Sequence, residues 1–187
     1  MLLLLFSVAF AEAQGAEKAR IKESFVVNSH TELLLYFTLD GAISSEMEKG
    51  ILNGIPVTFA FFVELYEHVE GKGPVQLVTR NLQHTLYFET LKEVFTLEQT
   101  EQSGKSTLYK NLDEATLALL RVHDLPVTDL ALLKPGLTYS IKIKAELAKQ
   151  GMPEKFKNVM TFLKIWYFET EWKEVLFTMA AGTSSEQ

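Results

Sequence analysis

The residues that could carry out chemistry in this chain do not complete a phosphate-binding motif. Gly104-Lys105-Ser106-Thr107 ends like a phosphate-binding loop, but the full pattern needs a glycine five residues before Gly104, where Gln99 stands. A helix should also follow the loop, whereas residues 106–110 have the pattern of a short strand. We therefore interpret the segment as a hairpin turn and expect no nucleotide to bind.

Histidine and cysteine give no metal-binding pattern either. No two histidines are three or four residues apart, as a ligand pair on a helix would be; they are His30, His68, His84 and His123. The chain has no cysteine, which excludes disulfides, thiolate metal sites and cysteine nucleophiles. His84 shares the apolar face of its predicted strand, so we expect a hydrogen-bonded histidine of the core or its rim. We expect no metal and no cofactor.

A pair of carboxylates could support hydrolysis, and Glu169 and Glu171 share one face of the last predicted strand, with Glu174 nearby. Catalytic carboxylates, however, usually come from different strands that face each other across a cleft. The chain also lacks the Gly-x-Ser-x-Gly motif of serine hydrolases. The sequence therefore favours a protein without catalytic residues, and a carboxylate-based hydrolase is the weaker alternative.

Composition and charge narrow the class of protein. Hydrophobic residues make up 47% of the 187 residues, and thirteen of them are phenylalanines, which suits one globular domain with a sizeable core. The formal net charge is -6, and the lysines are interspersed with acids. Because phosphate binding needs clustered Lys and Arg, we expect no nucleic-acid partner.

The N-terminus resembles a signal peptide over residues 1–13. An apolar run from Leu2 to Phe10 is followed by small-x-small patterns that end at Ala11 and Ala13. No Lys or Arg precedes the run, which leaves open that the signal peptide is truncated; a buried N-terminal strand is the alternative. We expect a periplasmic or exported protein with one domain at 20–179 and a disordered tail at 180–187.

Hydrophobic periodicity predicts a mainly β protein. Alternation predicts strands at 21–27, 33–39, 56–68, 75–88, 91–100, 106–110, 138–147 and 166–179. Helical spacing predicts helices at 44–53, from 111 or 113 to 122, and at 153–163, and Ser45 and Glu48 are spaced as a capping box. We interpret residues 125–133 as irregular. Most connections are too short for parallel crossovers, so we predict an antiparallel immunoglobulin-like β-sandwich with about three short helical insertions.

The strand that follows Pro135-Gly136 refines this prediction. Tyr139 begins a run in which apolar and polar residues alternate as far as Leu147. A tyrosine just after a Pro-Gly turn, at the start of such a strand, resembles the tyrosine corner of immunoglobulin-like and fibronectin-like sandwiches.

Several segments together resemble the bacterial domain-of-unknown-function family 4390. They are Asp40 to Pro56, His84 to Leu91, Leu133 to Gly136 with Tyr139, and Trp166 to Trp172. The resemblance covers roughly residues 20–178. It implies a periplasmic or exported protein and assigns no activity.

Residues 152–172 combine aromatic and aliphatic side chains with lysines, a composition that suits an interaction surface. The candidate partner-binding residues are Phe156, Val159, Met160, Leu163 and Trp166. The segment could cap the open end of the sandwich, bind a protein partner or lie on a membrane. Our leading hypothesis is a non-enzymatic interaction module that presents this segment, or an exposed sheet edge, to a membrane-associated protein.

A carrier of lipid or another small apolar ligand is the second hypothesis. It predicts a cavity between the sheets, lined by Phe59, Phe61 and Trp166, whereas an interaction module predicts a filled core and an exposed surface.

Overall fold

A computed structural model of the chain describes residues 18–103, 105–148 and 168–180. The strands of these residues, in chain order, are β1 (Arg20–Asn28), β2 (Glu32–Asp40), β3 (Val57–His68), β4 (Val75–Glu89), β5 (Val94–Gln99), β6 (Ser106–Tyr109), β7 (Arg121–Asp129), β8 (Thr138–Leu147) and β9 (Lys173–Thr178). The α-helices are α1 (Ser45–Leu52) and α2 (Leu112–Leu120), and two short 3-10 turns span Thr100–Gln102 and Leu130–Leu132.

The strands form two antiparallel sheets, which confirms the mainly β prediction. One sheet has the order β1-β2-β7 and the other has the order β6-β5-β4-β3-β8-β9. The sheets pack through their apolar faces, where Phe37 of β2 meets Phe61 of β3 edge to face with ring centroids 5.5 Å apart. The alternation that predicted β2 and β3 therefore reports burial on one face of each strand.

The two described helices lie close to their predicted positions. The side chain of Ser44, not that of Ser45, caps α1 by accepting a hydrogen bond from the Met47 backbone N–H at 3.2 Å, so the predicted capping box was wrong by one residue. Asn111, one of the two predicted cap positions, caps α2 by accepting a hydrogen bond from the Glu114 N–H at 2.8 Å. The third predicted helix, at 153–163, lies outside the described residues.

The prediction that residues 125–133 are irregular was wrong, because β7 occupies much of this segment. Two register irregularities interrupt the pairing of β7 with β2. One of them coincides with Asp124, whose φ of 53° lies in the left-handed region. The bulges break the period of two, and Pro126 hides the strand further because proline is uncommon in strands.

The ends of two other strands also differ from the prediction. β5 begins at Val94 rather than at residue 91, because the Glu93 N–H donates to the Glu89 carbonyl in a turn. The last strand begins at Lys173. Before it, the Thr170 hydroxyl accepts a hydrogen bond from the Ala145 N–H at 3.0 Å, where a strand would offer a carbonyl. Residues 166 and 167 lie outside the described part.

Tyr139 and the Pro-Gly turn are joined by hydrogen bonds. Gly136 has a φ of 78°, which favours glycine, and its N–H donates to the Met179 carbonyl. The fully buried Tyr139 hydroxyl accepts a hydrogen bond from the Lys134 N–H at 2.8 Å and donates to a Glu67 carboxylate oxygen at 3.4 Å. Lys134 Nζ lies 3.1 Å from the same carboxylate. The phenol therefore fixes the turn to the end of β3.

Candidate functional site

His84 is a buried histidine of the core, as the sequence predicts. Its side chain exposes no area to solvent, and its ring meets that of Phe61 edge to face at 4.9 Å. The Nδ1–H donates to the Leu119 carbonyl at 2.9 Å, at the end of α2, and Nε2 lies 2.6 Å from Glu101 Oε1. The pair joins β4, α2 and the Thr100–Gln102 turn, and it engages both ring nitrogens.

The charge state of Glu101 follows from this contact. Burial raises the pKa of the Glu101 carboxyl, but the hydrogen bond and the positive charge of His84 lower it, so that the pKa lies below its usual value. Leu119, whose carbonyl accepts from the Nδ1–H, lies near the C-terminal end of α2, where backbone carbonyls lack partners within the helix. We interpret the pair as a structural link between three elements of the fold.

The three acids near the last strand each have a different lysine as neighbour. Glu169 lies 3.3 Å from Lys144 and Glu171 lies 3.1 Å from Lys18. Glu174 lies opposite Lys142 in the ladder between β8 and β9. Within the described residues no group of three or more His, Asp or Glu could hold a metal ion. The positions of these acids suit a solvated sheet surface better than a catalytic pair.

Among the described strands, four lie at sheet edges, and three of these carry features that hinder pairing with another chain. β1 has a bulge between Lys22 and Phe25. β6 has only four residues, and β7 contains Pro126 and two irregularities. β9, by contrast, pairs with β8 without interruption over all six of its residues and contains no proline or glycine. Among the described edges, β9 is the most regular template for a further strand.

The backbone groups that β9 turns outward can be assigned from its pairing. The Met179 N–H donates to the Leu137 carbonyl, and hydrogen-bonded pairs alternate along an antiparallel ladder. Val175 and Phe177 therefore direct their backbone groups toward β8, whereas Glu174 and Leu176 direct theirs away from the sheet. We call this row of outward groups the β9 edge.

Apolar side chains accompany the β9 edge on the outer face of the sheet. Leu176 exposes 65% of its surface and Trp172, just before the strand, exposes 45%. On the inner side the edge borders an open cleft of about 470 Å³ between β9 and β1. This β1–β9 cleft is lined by Ile21, Lys22, Glu23, Ser24, Lys173, Glu174 and Val175.

The cleft has an apolar floor and a charged rim. Ile21 is buried and Val175 is half-buried, whereas Lys22, Glu23 and Lys173 are mainly exposed. Lys22 is already paired, because its Nζ lies 2.5 Å from Asp40. An apolar or amphipathic side chain from an added strand could therefore enter the cleft beside β9.

Sequence reasoning did not identify these residues as a site. Alternation revealed a strand near the C-terminus, but only the pairing order shows that β9 lies at an edge and faces β1. The residues that were predicted to bind a partner, Phe156, Val159, Met160, Leu163 and Trp166, lie outside the described residues. Phe168, which follows them, packs on Phe59 with ring centroids 5.3 Å apart.

Comparison with known proteins gives one match. A family model described as a domain of unknown function (DUF4390) matches residues 16–176. No curated protein and no solved structure matches the chain. In the described part of the chain, no helix has both the length and the apolar character needed to cross a membrane. The matched range covers most of the chain and agrees with the resemblance seen in its segments, so the chain belongs to the DUF4390 family.

Proposed function

We propose that the protein is an exported, non-enzymatic interaction module that binds an extended segment of a protein partner along the β9 edge. The observation that carries this proposal is the uninterrupted pairing of β9 with β8, which leaves the backbone groups of Glu174 and Leu176 directed outward at an edge. Recognition by strand addition uses such an edge: main-chain hydrogen bonds supply affinity, and pockets for alternate side chains supply specificity.

The surroundings of the edge offer two places for alternate side chains of the added strand. On the outer face, a side chain would pack beside the exposed Leu176 and Trp172. On the inner face, the next side chain would enter the β1–β9 cleft above Ile21 and Val175. We expect two neighbouring residues of the bound segment, whose side chains point to opposite faces of the sheet, to be apolar. Polar residues of the segment should lie near the charged rim.

The packing of the aromatic residues favours this function over a carrier. Phe59 and Phe61, which the carrier hypothesis places around a cavity, are fully buried. Phe61 packs against Phe37 and His84, and Phe59 packs against Phe168. These contacts support a filled region between the sheets at both phenylalanines.

Export and an immunoglobulin-like sandwich are part of the proposal. Export is supported by the apolar run at 2–10 with small residues after it. The immunoglobulin-like assignment is supported by the hydrogen bond from the Lys134 N–H to the Tyr139 hydroxyl after the Pro-Gly turn. A periplasmic partner that is attached to the membrane fits an exported domain of this kind.

The test separates backbone pairing from side-chain contact at one position. Leu176→Pro removes the outward N–H, whereas Leu176→Thr removes the apolar side chain and keeps the N–H. Proline is tolerated on an edge strand when its nitrogen faces away from the sheet, so we expect both variants to fold. Far-UV circular dichroism and urea denaturation check this.

Wild type and both variants are then used as bait in a pull-down from a periplasmic extract that contains solubilised membranes. Strand addition predicts a partner that wild type captures, that Leu176→Thr captures more weakly and that folded Leu176→Pro loses. Deuterium exchange at Glu174 and Leu176 should slow when the partner is added. Capture that survives Leu176→Pro would refute binding at the β9 edge. If the double variant Phe156→Glu/Val159→Glu loses that capture instead, the partner binds the predicted segment at 152–172.

A further inference from the structure

The outer face of the three-stranded sheet is apolar over part of its area, although a sheet face in water is normally polar. Phe25 of β1 lies opposite Tyr36 of β2, and their rings stack with centroids 5.0 Å apart. Val27 lies opposite Leu34, which in turn lies opposite Pro126 of β7. We call these five residues the Phe25 patch.

The Phe25 patch faces away from the core. Leu33 and Leu35, the neighbours of Leu34 along β2, are fully buried on the inner face. Phe25, in contrast, exposes 49% of its surface and Val27 exposes 43%. Apolar side chains that are adjacent on a sheet surface and remain exposed are typical of an interaction site.

Carboxylates lie at both ends of the patch. At one end, Glu23 lies in the bulge of β1 and accepts a hydrogen bond from the Thr38 hydroxyl. At the same end, Asp124 lies in the bulge of β7 and accepts a hydrogen bond from the Tyr36 hydroxyl. At the other end, Glu32 and Asp129 are directly opposite each other in the ladder. Like charges in opposite positions are unfavourable, and of these two carboxylates Asp129 accepts a hydrogen bond from the Ala131 N–H at 2.8 Å.

The cations of this sheet face lie on one side of the patch, beyond the pair of Phe25 and Tyr36. Arg20 lies 3.4 Å and Lys22 lies 2.5 Å from Asp40, beyond the bulge. Arg121 is opposite Thr38, on the same side of the patch. On the other side of the patch, the pair that borders it in the ladder consists of two carboxylates, Glu32 and Asp129.

We propose that the Phe25 patch is a second docking surface, and that it binds a protein segment in which apolar side chains are flanked by Lys or Arg. The apolar residues of the segment would cover Phe25 and Val27, and its cations would lie against Asp124 and Glu32. An anionic membrane surface fits less well, because its charge has the same sign as these carboxylates. This surface lies on a different sheet from the β9 edge, so the inference is independent of the proposed function.

The test is a titration of the isotope-labelled chain, followed by backbone amide chemical shifts, with two synthetic nine-residue peptides. One peptide alternates leucine and lysine, and the other alternates leucine and glutamate. We expect the basic peptide to shift the amides of Phe25, Val27 and Leu34, and the acidic peptide to leave them unchanged. Equal effects of both peptides, or shifts confined to β9, would overturn the proposal.

Charge variants test the role of the carboxylates. Asp124→Asn keeps the left-handed conformation and the hydrogen-bond acceptor for Tyr36, and Glu32→Gln keeps the shape of the side chain. The double variant should bind the basic peptide about fivefold more weakly, as expected for the loss of two exposed ion pairs. Glu70→Gln, in the exposed turn after β3, serves as the matched control and should leave affinity unchanged. An equal loss in this control would contradict a local site.

Two further measurements exclude other occupants. The chain should not sediment with vesicles of phosphatidylglycerol. If it does, and if Phe25→Ser abolishes the sedimentation, the Phe25 patch binds a membrane rather than a basic protein segment. Shifts of the Phe25 and Val27 amides that depend on protein concentration alone would instead assign the patch to a second copy of the chain.

Discussion

Substitution of Glu101 can separate the charge of the buried His84 pair from its hydrogen bond. In Glu101→Gln, the side-chain amide can donate to Nε2 of a neutral His84, whose Nδ1–H still donates to the Leu119 carbonyl. In Glu101→Leu, Nε2 loses this partner and keeps only the contact at 3.3 Å with the Gln99 amide nitrogen. The two substitutions introduce side chains of similar volume, so the polar contact is the main difference between them.

The expected magnitudes follow from burial. Leaving a buried polar group without a partner costs about 1–3 kcal/mol, and breaking a buried ion pair costs about 3–5 kcal/mol. The side chain of His84 exposes 0% and that of Glu101 exposes 17%, so solvent screens the pair only in part. We expect Glu101→Leu to lower the free energy of unfolding by about 3 kcal/mol and Glu101→Gln to lower it by about 1 kcal/mol.

The pH dependence of the pair has a definite sign. Because the pKa of Glu101 is lowered in the folded protein, its contribution is complete above the pKa of the unfolded carboxyl, about 4.3. The contribution is lost as the pH falls through the lower, folded-state pKa. The difference in stability between wild type and Glu101→Gln should therefore shrink between about pH 5 and about pH 3.

Urea denaturation at a series of pH values, followed by circular dichroism, measures these differences. Equal losses in Glu101→Gln and Glu101→Leu would show that the hydrogen bond to His84 contributes nothing. A difference between wild type and Glu101→Gln that stays constant down to about pH 3 would show that Glu101 is not an ionised partner in the folded protein.

Two other substitutions test the core and the Pro-Gly turn by the same denaturation assay. Tyr139→Phe should lower the free energy of unfolding by about 1–2 kcal/mol, because the Lys134 N–H loses its acceptor. Tyr109→Phe is the matched control, and an equal loss of stability there would argue against a special role for the turn. Leu35→Ala should cost about 2–5 kcal/mol because it leaves a cavity on the buried face of β2, whereas Leu34→Ala on the outer face should cost much less; similar losses would contradict the assigned faces.

The sequence predicted those elements whose period is regular. In β2, Leu33, Leu35 and Phe37 recur at every second position because one face of the strand is buried and the other is not. In α1 and α2, cap residues and apolar spacing agreed on the same segments, although the cap of α1 lies one residue earlier than predicted. Local sequence is sufficient in these cases because the signal is contained within one element.

Features that depend on two distant segments could not be predicted. The partner of His84 is Glu101, which lies seventeen residues away in a 3-10 turn, and no period connects the two. The bulges of β1 and β7 shift the phase of alternation at Glu23 and Asp124, and this obscured β7 altogether. The location of β9 at an edge follows from strand order, which the pattern of one strand does not encode.

The two edge strands beside the β1–β9 cleft differ in regularity: β1 has a bulge and β9 has none. The bulge at Glu23 twists β1 and makes it a poor template for pairing, and the bulged residues also form one wall of the cleft. β9 remains regular on the other wall. An added strand would therefore have one edge to pair with, and its side chains would meet β1 as a wall rather than as a competing template. The bulge thus hinders pairing of another chain with β1 and leaves β9 as the edge to which an added strand can pair. A partner would therefore bind at this cleft in one orientation.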